Sequence, residues 1–207
     1  MIHGLKHFVV ERARTARRFI KSTNPPYRIE ELTIIEIDKK GDQYLAEVKT
    51  LFSDNRNVGL ISESGMPAIA DPGSEVVSLA HKHGVTVKPL TGPSSLFLAL
   101  SASGLNGQSF AFRGYLPIKE NEIIQKIKQL ETIILKENQT QIFIETPYRN
   151  ERIFKFLTQK LSAKIRLCIA KDVTGQEEYI KTRTISEWKK HPTSICLLYT
   201  SPSPRDS

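Results

Sequence analysis

Short apolar runs rich in β-branched residues alternate along the chain with stretches in which apolar positions recur at helical spacing. The apolar runs predict strands at residues 6–10, 32–37, 58–61, 85–90, 110–115, 141–145 and 165–170. The helical spacing predicts helices at residues 12–21, 43–52, 74–83, 95–103, 120–137 and 150–161. Such alternation is typical of an α/β fold whose strands pair largely in parallel.

A polar, glycine-bearing connection, GLNGQS at residues 104–109, interrupts this alternation. It predicts a boundary between an N-terminal α/β domain at residues 1–106 and a C-terminal α/β domain at residues 107–195. A strand-like start at residues 194–198 then gives way to the repetitive SPSPRDS. CLLYTSPSPRD is also one translation of a common transposase sequencing adapter, so we interpret residues 196–207 as a non-native tail.

The composition is that of a globular protein, and the charge is strongly positive. Of the 207 residues, 39% are hydrophobic and 25% are charged, and the formal net charge is +8. An excess of this size favours an anionic partner such as RNA, although a generally basic soluble protein has the same composition.

Several classes of protein lack support in the sequence. No apolar run approaches the roughly 20 residues of a membrane-spanning helix, so we expect no membrane attachment. Cys168 and Cys196 form neither a metal-ligand spacing nor a disulfide framework, which favours a cytoplasmic location. We expect no metal site, because the histidines also lack a metal-ligand spacing: His81 and His83 cannot share a helix face.

The connection SESGMPAIADPGS, residues 62–74, follows a predicted strand and precedes a predicted helix. It therefore lies at the carboxyl edge of the sheet, where open α/β sheets bind ligands. Gly65 allows close approach of backbone to a ligand, while Pro67 and Pro72 hold the loop in one shape. We expect Ser74 to cap the helix that follows. The pattern fits a ligand site, and it also fits a rigid loop without a ligand.

Other strand ends have the same character. They are TGPSS at residues 91–95, RGYLP at residues 113–117, IFIETPYRN at residues 142–150 and LCIAKDVT at residues 167–174. Together they predict a composite cleft. The chain contains no G-x-G-x-x-G, P-loop or G-x-S-x-G motif, so the corresponding nucleotide-binding and hydrolase classes have no local support.

The segment ERARTARRFIK, residues 11–21, combines an apolar stripe with a basic side. Residues three and four positions apart are neighbours on a helix, so its basic residues can line one outer side. This side fits contacts with RNA phosphates, and it also fits a solvated face. The candidate RNA-binding residues here are Arg14, Arg17, Arg18 and Lys21. Arg149, at the start of a later helix, is a further candidate.

The ordered motifs resemble those of the tetrapyrrole-methylase-like superfamily of S-adenosylmethionine (SAM) methyltransferases. The motifs SESGMPAIADPG, PLTGPSS, FRGYLP, FIETPYR and IAKDVT are most similar to the bacterial 16S ribosomal RNA 2′-O-ribose cytidine methyltransferase branch. The resemblance covers about residues 4–194. It implies a two-domain tetrapyrrole methylase-like fold with SAM in the cleft between the domains, and a homodimer in the full-length form. The superfamily's first strand and P-T-P-x-G loop are missing before GLKHFVVE, so we expect an N-terminally truncated fragment.

The resemblance also implies which residues line SAM. In the N-terminal domain they are Gly65, Met66, Pro67 and Ile69, together with Thr91, Gly92, Pro93 and Ser94. At the hinge and in the C-terminal domain they are Tyr115, Leu116, Pro147 and Ala170. Some positions depart from the branch pattern: Glu63, Met66 and Ala70 replace Asp, Thr and Ser.

Methyl transfer to a ribose hydroxyl needs a group that accepts the hydroxyl proton or stabilises the forming alkoxide. Glu11 is the candidate base and Arg14 the candidate orienting residue, while Glu145 is an alternative base.

Three functions remain open. The first is ribose methylation of small-subunit ribosomal RNA, and the second is methylation of a tetrapyrrole or another small molecule on the same fold. The third is an RNA-binding fragment without enzymatic activity. The net charge of +8 and the basic segment favour RNA.

Overall fold

The computed structural model describes residues 2–38 and 41–191. The strands are β1 (His7–Val10), β2 (Thr33–Glu36), β3 (Val58–Ile61), β4 (Phe110–Tyr115), β5 (Thr140–Ile144), β6 (Arg166–Lys171) and β7 (Tyr179–Thr184). The helices are α1 (Ala13–Ser22), α2 (Gln43–Ser53), α3 (Ser74–Lys82), α4 (Ser95–Ser103), α5 (Glu120–Glu137), α6 (Asn150–Lys160) and α7 (Ile185–Lys190). These elements form two compact units that divide after Ser94.

The first unit is built on a parallel sheet with the strand order β2-β1-β3. Alternate residues of β1 enter different cores, because successive side chains of a strand point to opposite faces. Val9 packs in a cluster with residues of α2 and α3, whereas Phe8 and Val10 pack with Ala16 and Ile20 of α1. The sheet therefore has α2 and α3 on one face and α1 on the other, as expected for a parallel sheet.

The second unit combines a parallel pair, β4 and β5, with an antiparallel pair, β6 and β7. Its core joins buried residues of α5, α6 and α7, among them Ile127, Leu157 and Ile185. Helix α4 belongs to this unit and contacts β7, where the Thr182 hydroxyl donates to the Ser103 carbonyl at 2.7 Å. The division after Ser94 thus falls before the boundary after residue 106 that the sequence predicts.

The structure confirms the α/β fold and most of the predicted elements. The strand predicted at residues 85–90 is wrong, since these residues form no regular element. Val85 and Val87 pack against the first unit's core, but Pro89 has no N–H to offer a neighbouring strand, and Leu90 is exposed. The expectation of largely parallel pairing misses the antiparallel strand β7 and the helix α7 that follows it.

Ser74 does not cap α3, contrary to the sequence-based expectation. Gly73 occupies the N-cap position with φ of 127°, and no side-chain hydrogen bond caps the helix. The strand-like start at residues 194–198, the tail at 196–207 and Cys196 lie outside the described residues. Among the helices of residues 2–38 and 41–191, none is long and apolar enough to cross a membrane.

Candidate active site

Two glutamates meet where β1 and β3 end. The Glu11 N–H donates to the Ile61 carbonyl at 3.2 Å, which carries the parallel pairing one residue beyond β1. The Glu63 N–H donates to Oε2 of Glu11 at 3.4 Å, so the Glu11 carboxylate is held at the carboxyl edge of the sheet. This is the edge at which open α/β sheets bind ligands.

Glu63 itself has a buried carboxylate oxygen, Oε2, that finds no hydrogen-bond partner within the described part of the chain. Burying a polar atom without a partner is costly, and such atoms in native proteins call for an explanation. A ligand that brings a hydrogen-bond donor to this edge would supply one. In the sequence, Glu63 stands out only as a departure from the superfamily pattern, and nothing there signals its burial.

The connection after β3 is folded tightly on itself. The Ile69 N–H donates to the Met66 carbonyl at 3.2 Å, and the Ala68 N–H donates to the Pro72 carbonyl at 3.3 Å. Ala68 and Ala70 have φ of 65° and 61°, a left-handed conformation that costs alanine about 1–3 kcal/mol. Strain of this kind clusters at ligand clamps and switch regions. The loop therefore has a feature of binding sites that its sequence did not reveal.

Gly65 of this loop is exposed and has open surroundings. Its φ is 72°, and a Cβ built on it would meet no atom within 4 Å. Its backbone is therefore accessible, and contact between Gly65 and a ligand stays a prediction. Met66 and Pro67 beside it are half-buried, and Ile69 is exposed.

The segment from Thr91 to Ser94 precedes α4 and forms no regular element. Thr91, Gly92 and Pro93 are exposed, whereas Ser94 is buried. These four candidates belong to the first unit, together with Glu11 and the loop after β3.

In the second unit, Glu145 joins the end of β5 to the segment that follows β4. Its Oε1 accepts from the Leu116 N–H at 3.2 Å and lies 3.3 Å from Nη2 of Arg149. The Arg149 guanidinium in turn donates to the Leu116 carbonyl at 2.9 Å and to the Pro117 carbonyl. The Glu145 side chain is only 6% exposed, and the Arg149 side chain is 23% exposed.

This arrangement gives Arg149 a task that sequence analysis missed. Its charge faces a buried carboxylate, and its donors hold two carbonyls in place. Glu145 and Arg149 are four residues apart in the sequence. Their contact could not be predicted from this spacing, because the residues between them form the turn Pro147–Arg149 and not a continuous α-helix. Contact between Arg149 and RNA stays a prediction.

The remaining candidates of the second unit differ in exposure. Leu116 is buried, so its side chain has little surface that a ligand could contact. Tyr115 and Pro147 are exposed, and Ala170 is an exposed residue of β6 opposite Ile180. The structure brings Leu116 together with Glu145 and leaves the contribution of the others to ligand binding as a prediction.

Helix α1 carries the predicted basic side. Ala16 and Ile20 are buried, while Arg14, Arg17, Arg18 and Lys21 are exposed. With respect to the described residues, none of these four cations forms an ion pair. The helix begins where Oε2 of Glu36, at the end of β2, accepts the Ala13 N–H at 2.7 Å. This carboxylate, which lies 23 residues from Ala13 in the sequence, complements the positive end of the helix dipole.

Residues 2–38 and 41–191 contain no cluster of three or more His, Cys, Asp or Glu side chains suited to a metal ion.

Comparison with known proteins identifies the family. The sequence profile described as Tetrapyrrole (Corrin/Porphyrin) Methylases matches residues 8–189. Ribosomal RNA small subunit methyltransferase I of Vibrio cholerae is 37% identical over 131 residues, which cover 63% of this chain and 44% of that protein. The protein of the same name from Thermotoga maritima is 27% identical over 165 residues, 80% of this chain and 72% of that protein.

The chain spans about half the length of most of the curated relatives it matches. Among solved structures, diphthine synthase superposes with a TM-score of 0.60 at 14% identity, over 97% of this chain and 78% of that one. A likeness at this identity shows the fold. Together with the profile match, it confirms the resemblance found in the motifs: the chain belongs to the tetrapyrrole (corrin/porphyrin) methylase family.

Proposed function

We propose that this chain takes part in SAM-dependent methylation of small-subunit ribosomal RNA, at the 2′-hydroxyl of a cytidine ribose. Membership of the methylase family and the names of the relatives support methyl transfer to ribosomal RNA. The cytidine and the 2′-oxygen come from the motif resemblance. The observation that carries the proposal is the pair of glutamates at the sheet edge, with the strained loop after β3 beside it.

The proposal places SAM against residues of the first unit. The proposed contacts are Gly65, Met66, Pro67 and Ile69, with Thr91, Gly92, Pro93 and Ser94. The open backbone at Gly65 admits close approach, and the unpartnered Oε2 of Glu63 can accept a hydrogen bond from an amino or hydroxyl group. When bound, SAM supplies a methyl group on a sulfonium. Tyr115, Leu116, Pro147 and Ala170 of the second unit are proposed as further contacts.

Glu11 is the proposed general base. The hydrogen bond from the Glu63 N–H fixes its carboxylate at the sheet edge, where it would take the proton from the ribose hydroxyl. Arg14 follows three residues later and is exposed on α1, from which it would orient the RNA and offset developing negative charge.

Glu145 is the alternative base, and its contacts favour a structural role instead. Oε1 is engaged by Arg149 and by the Leu116 N–H. These contacts tie the Glu145 carboxylate to Arg149 and to the segment after β4. The proposal therefore assigns proton transfer to Glu11, which lies at the carboxyl edge of the sheet beside the loop after β3.

Methylation of a tetrapyrrole is the second candidate, and the description of the matched family favours it. Four exposed cations on α1 favour RNA, because a broad basic surface suits a polyanion.

The experiment has two steps. Isothermal titration first measures SAM binding to the chain, and transfer of labelled methyl groups to isolated small ribosomal subunits then measures activity. We expect both, with the label mapping to a cytidine ribose. Absence of SAM binding would overturn the methyltransferase proposal, and labelling of a tetrapyrrole but not of subunits would overturn the RNA substrate.

Glu11→Gln tests the base. We expect a loss of turnover of about 10²-fold or more, with SAM affinity unchanged, because general-base catalysis contributes that much. Glu47→Gln, an exposed glutamate of α2, is the matched control. Unchanged turnover in Glu11→Gln would remove Glu11 from this role.

A ribosomal substrate places the proposed reaction in the cytoplasm. We also propose self-association as a homodimer, which the motif resemblance implies. Light scattering during size-exclusion chromatography tests it against the chain mass of 23.4 kDa, and a monomer at all concentrations would contradict it.

A further inference from the structure

A basic pocket lies on the first unit, between the second half of α1 and the segment that follows it. Its volume is about 590 Å³. Its lining residues are Arg17, Arg18, Lys21, Asn24, Pro25, Tyr27, Arg28, Ile29 and Glu30. The hollow is largely open to solvent.

The lining is dominated by positive charge. Glu30 is its single acidic member, and it lies 3.7 Å from Nε of Arg28, with both side chains largely exposed. Arg17, Arg18 and Lys21 form no ion pair with any described residue. The pocket therefore presents three uncompensated cations at its α1 wall.

The spacing of these cations works against the helix itself. Arg17 and Lys21 are four residues apart, and Arg18 and Lys21 are three apart, so they are neighbours of like charge. No acidic residue lies within α1 to offset their repulsion. A polyanion bound to this wall would relieve that repulsion. The three cations are exposed, so their position is not explained by a contribution to the packed core.

The opposite wall is held in place by hydrogen bonds that do not involve the charged side chains of the pocket. The Tyr27 hydroxyl donates to the Ile2 carbonyl at 3.2 Å, and the ring of His3 lies 2.9 Å from the Thr23 carbonyl. The Asn24 N–H donates to the Lys21 carbonyl at 3.1 Å. A wall ordered before binding lowers the entropy lost when a ligand binds.

The pocket extends away from the proposed chemistry along α1. Helix α1 starts at the carboxyl edge of the sheet, where Glu36 binds the Ala13 N–H, and returns the chain towards the amino edge, where β2 begins. At about 1.5 Å per residue, Arg17 lies roughly 6 Å along the helix from Ala13 and Lys21 roughly 12 Å. The lining cations of α1 thus lead from one turn beyond Arg14 to the opposite end of the helix.

We propose that the basic pocket binds phosphates of the RNA strand at nucleotides distant from the methylated ribose, with Tyr27 as an aromatic wall for an unpaired base. The inference rests on the proposed function, which it extends by a second anchoring site. Contacts that are equally strong in the ground and transition states lower KM without raising kcat. The proposal assigns the pocket's contacts to this kind, so that the pocket sets the affinity for RNA and leaves the chemical step unchanged.

The test compares two triple variants of the full chain. Arg17→Gln/Arg18→Gln/Lys21→Gln removes three charges from the pocket. Lys49→Gln/Arg56→Gln/Lys82→Gln removes three exposed charges that do not line it, in and beside α2 and α3. Fluorescence anisotropy with a labelled single-stranded RNA of mixed sequence measures affinity over a series of NaCl concentrations.

We expect the pocket triple to lose at least about tenfold in RNA affinity near 0.1 M salt and the control triple to lose less than about threefold. The slope of log affinity against log salt falls by about two in the pocket triple, since each phosphate contact on a single strand contributes about 0.7. With small ribosomal subunits as substrate, KM rises in the pocket triple while kcat stays near that of the parent.

Glu30→Gln provides a test of opposite sign that does not depend on damaging the fold. Removing the acidic member of the lining raises RNA affinity about two- to threefold, whereas Glu47→Gln on α2 leaves it unchanged. SAM titration and urea unfolding of each variant confirm that the fold is retained.

Equal losses in the two triples would overturn the pocket as a site and leave the proposed function standing. A fall in kcat without a rise in KM would also overturn it. Displacement of RNA by an equimolar amount of pyrophosphate would show that the pocket takes a free phosphate rather than a strand, which contradicts the proposal. If the parent chain binds SAM but no RNA, both the pocket and the RNA substrate fail.

Discussion

Left-handed backbone conformations are concentrated in the connection between β3 and α3. Gly65, Ala68, Ala70 and Gly73 all have positive φ there. Gly73 has a second constraint, because a Cβ at this position would lie 2.9 Å from Cδ2 of Leu60. Only glycine satisfies both the conformation and the contact with β3, and this explains the glycine that ends the DPG turn.

Gly73→Ala is expected to lower the free energy of unfolding by about 2 kcal/mol, from backbone strain together with the close contact with Leu60. Urea denaturation measures it. Gly4→Ala is the control, since its Cβ would meet no atom within 4 Å. Equal stability of the two variants would contradict the assignment of strain to Gly73.

Glu145 and Arg149 offer a second prediction for single residues. Glu145→Gln keeps the shape of the side chain but removes the charge that faces Arg149. We expect the free energy of unfolding to fall by about 2 kcal/mol, within the range for hydrogen bonds to charged groups. Glu151→Gln, at an exposed position of α6, is the control, and an equal effect in both would contradict the structural role of Glu145.

At the scale of elements, the pattern of apolar positions predicted two elements with their observed bounds, α5 and β3. The apolar residues of α5 follow the helical period and bury Ile123, Ile127 and Leu130, whereas β3 is a short apolar run whose four residues are all half-buried. β7 was missed because YIKTRT carries alternate charged residues and only half-buried apolar ones. Its place is set by antiparallel pairing with β6, which local periodicity does not report.

Helix α7 is short, and its start depends on a capping box. The Thr184 N–H and hydroxyl donate to Oε2 of Glu187 at 2.8 and 2.7 Å, while Thr184 accepts from the Glu187 N–H. The backbone hydrogen bond from Thr184, followed by the hydroxyl bond, lowers the pKa of Glu187 below its ordinary value of 4.5. The helix in turn places Trp188 in a fully buried position.

This lowered pKa predicts a pH dependence of stability. A carboxyl group whose pKa is lower in the folded state stabilises the fold above its unfolded pKa, and the contribution disappears as pH falls through the folded value. Urea unfolding should therefore show Glu187→Gln to be less stable than the parent near neutral pH. The difference should close in acid below pH 4.5, and a difference that persists there would contradict the pKa assignment.

For the whole molecule, the excess of positive charge is the dominant feature. A net charge of +8 makes the chain repel itself, and this repulsion weakens as salt shortens the Debye length from about 30 Å at 0.01 M to about 10 Å at 0.1 M. We expect the free energy of unfolding, measured in urea, to rise over this range. The triple variant Lys49→Gln/Arg56→Gln/Lys82→Gln, with three charges fewer, should show a smaller rise, and an equal or larger one would contradict this origin.

The sequence by itself determined most of the elements, the family and the loops at the strand ends. Hydrophobic periodicity, glycine and proline positions and local motifs are properties of neighbouring residues, so they can be read along the chain. The connection at residues 62–74 illustrates this, since the local sequence placed it between a strand and a helix and the structure has it between β3 and α3. Family membership followed from the same local motifs.

Only the tertiary structure decided which charged groups form hydrogen bonds or ion pairs, and with which partners. Glu63 meets Glu11 across 52 positions, Glu36 reaches the start of α1 across 23, and Glu145 reaches Leu116 across 29. The basic pocket likewise depends on the chain turning back after α1, so that Tyr27 and Arg28 face the same hollow as Arg17. The physical reason is common to all of them: hydrogen bonds and charge pairing act over a few ångströms in space, and distance along the sequence does not reveal which groups folding brings that close.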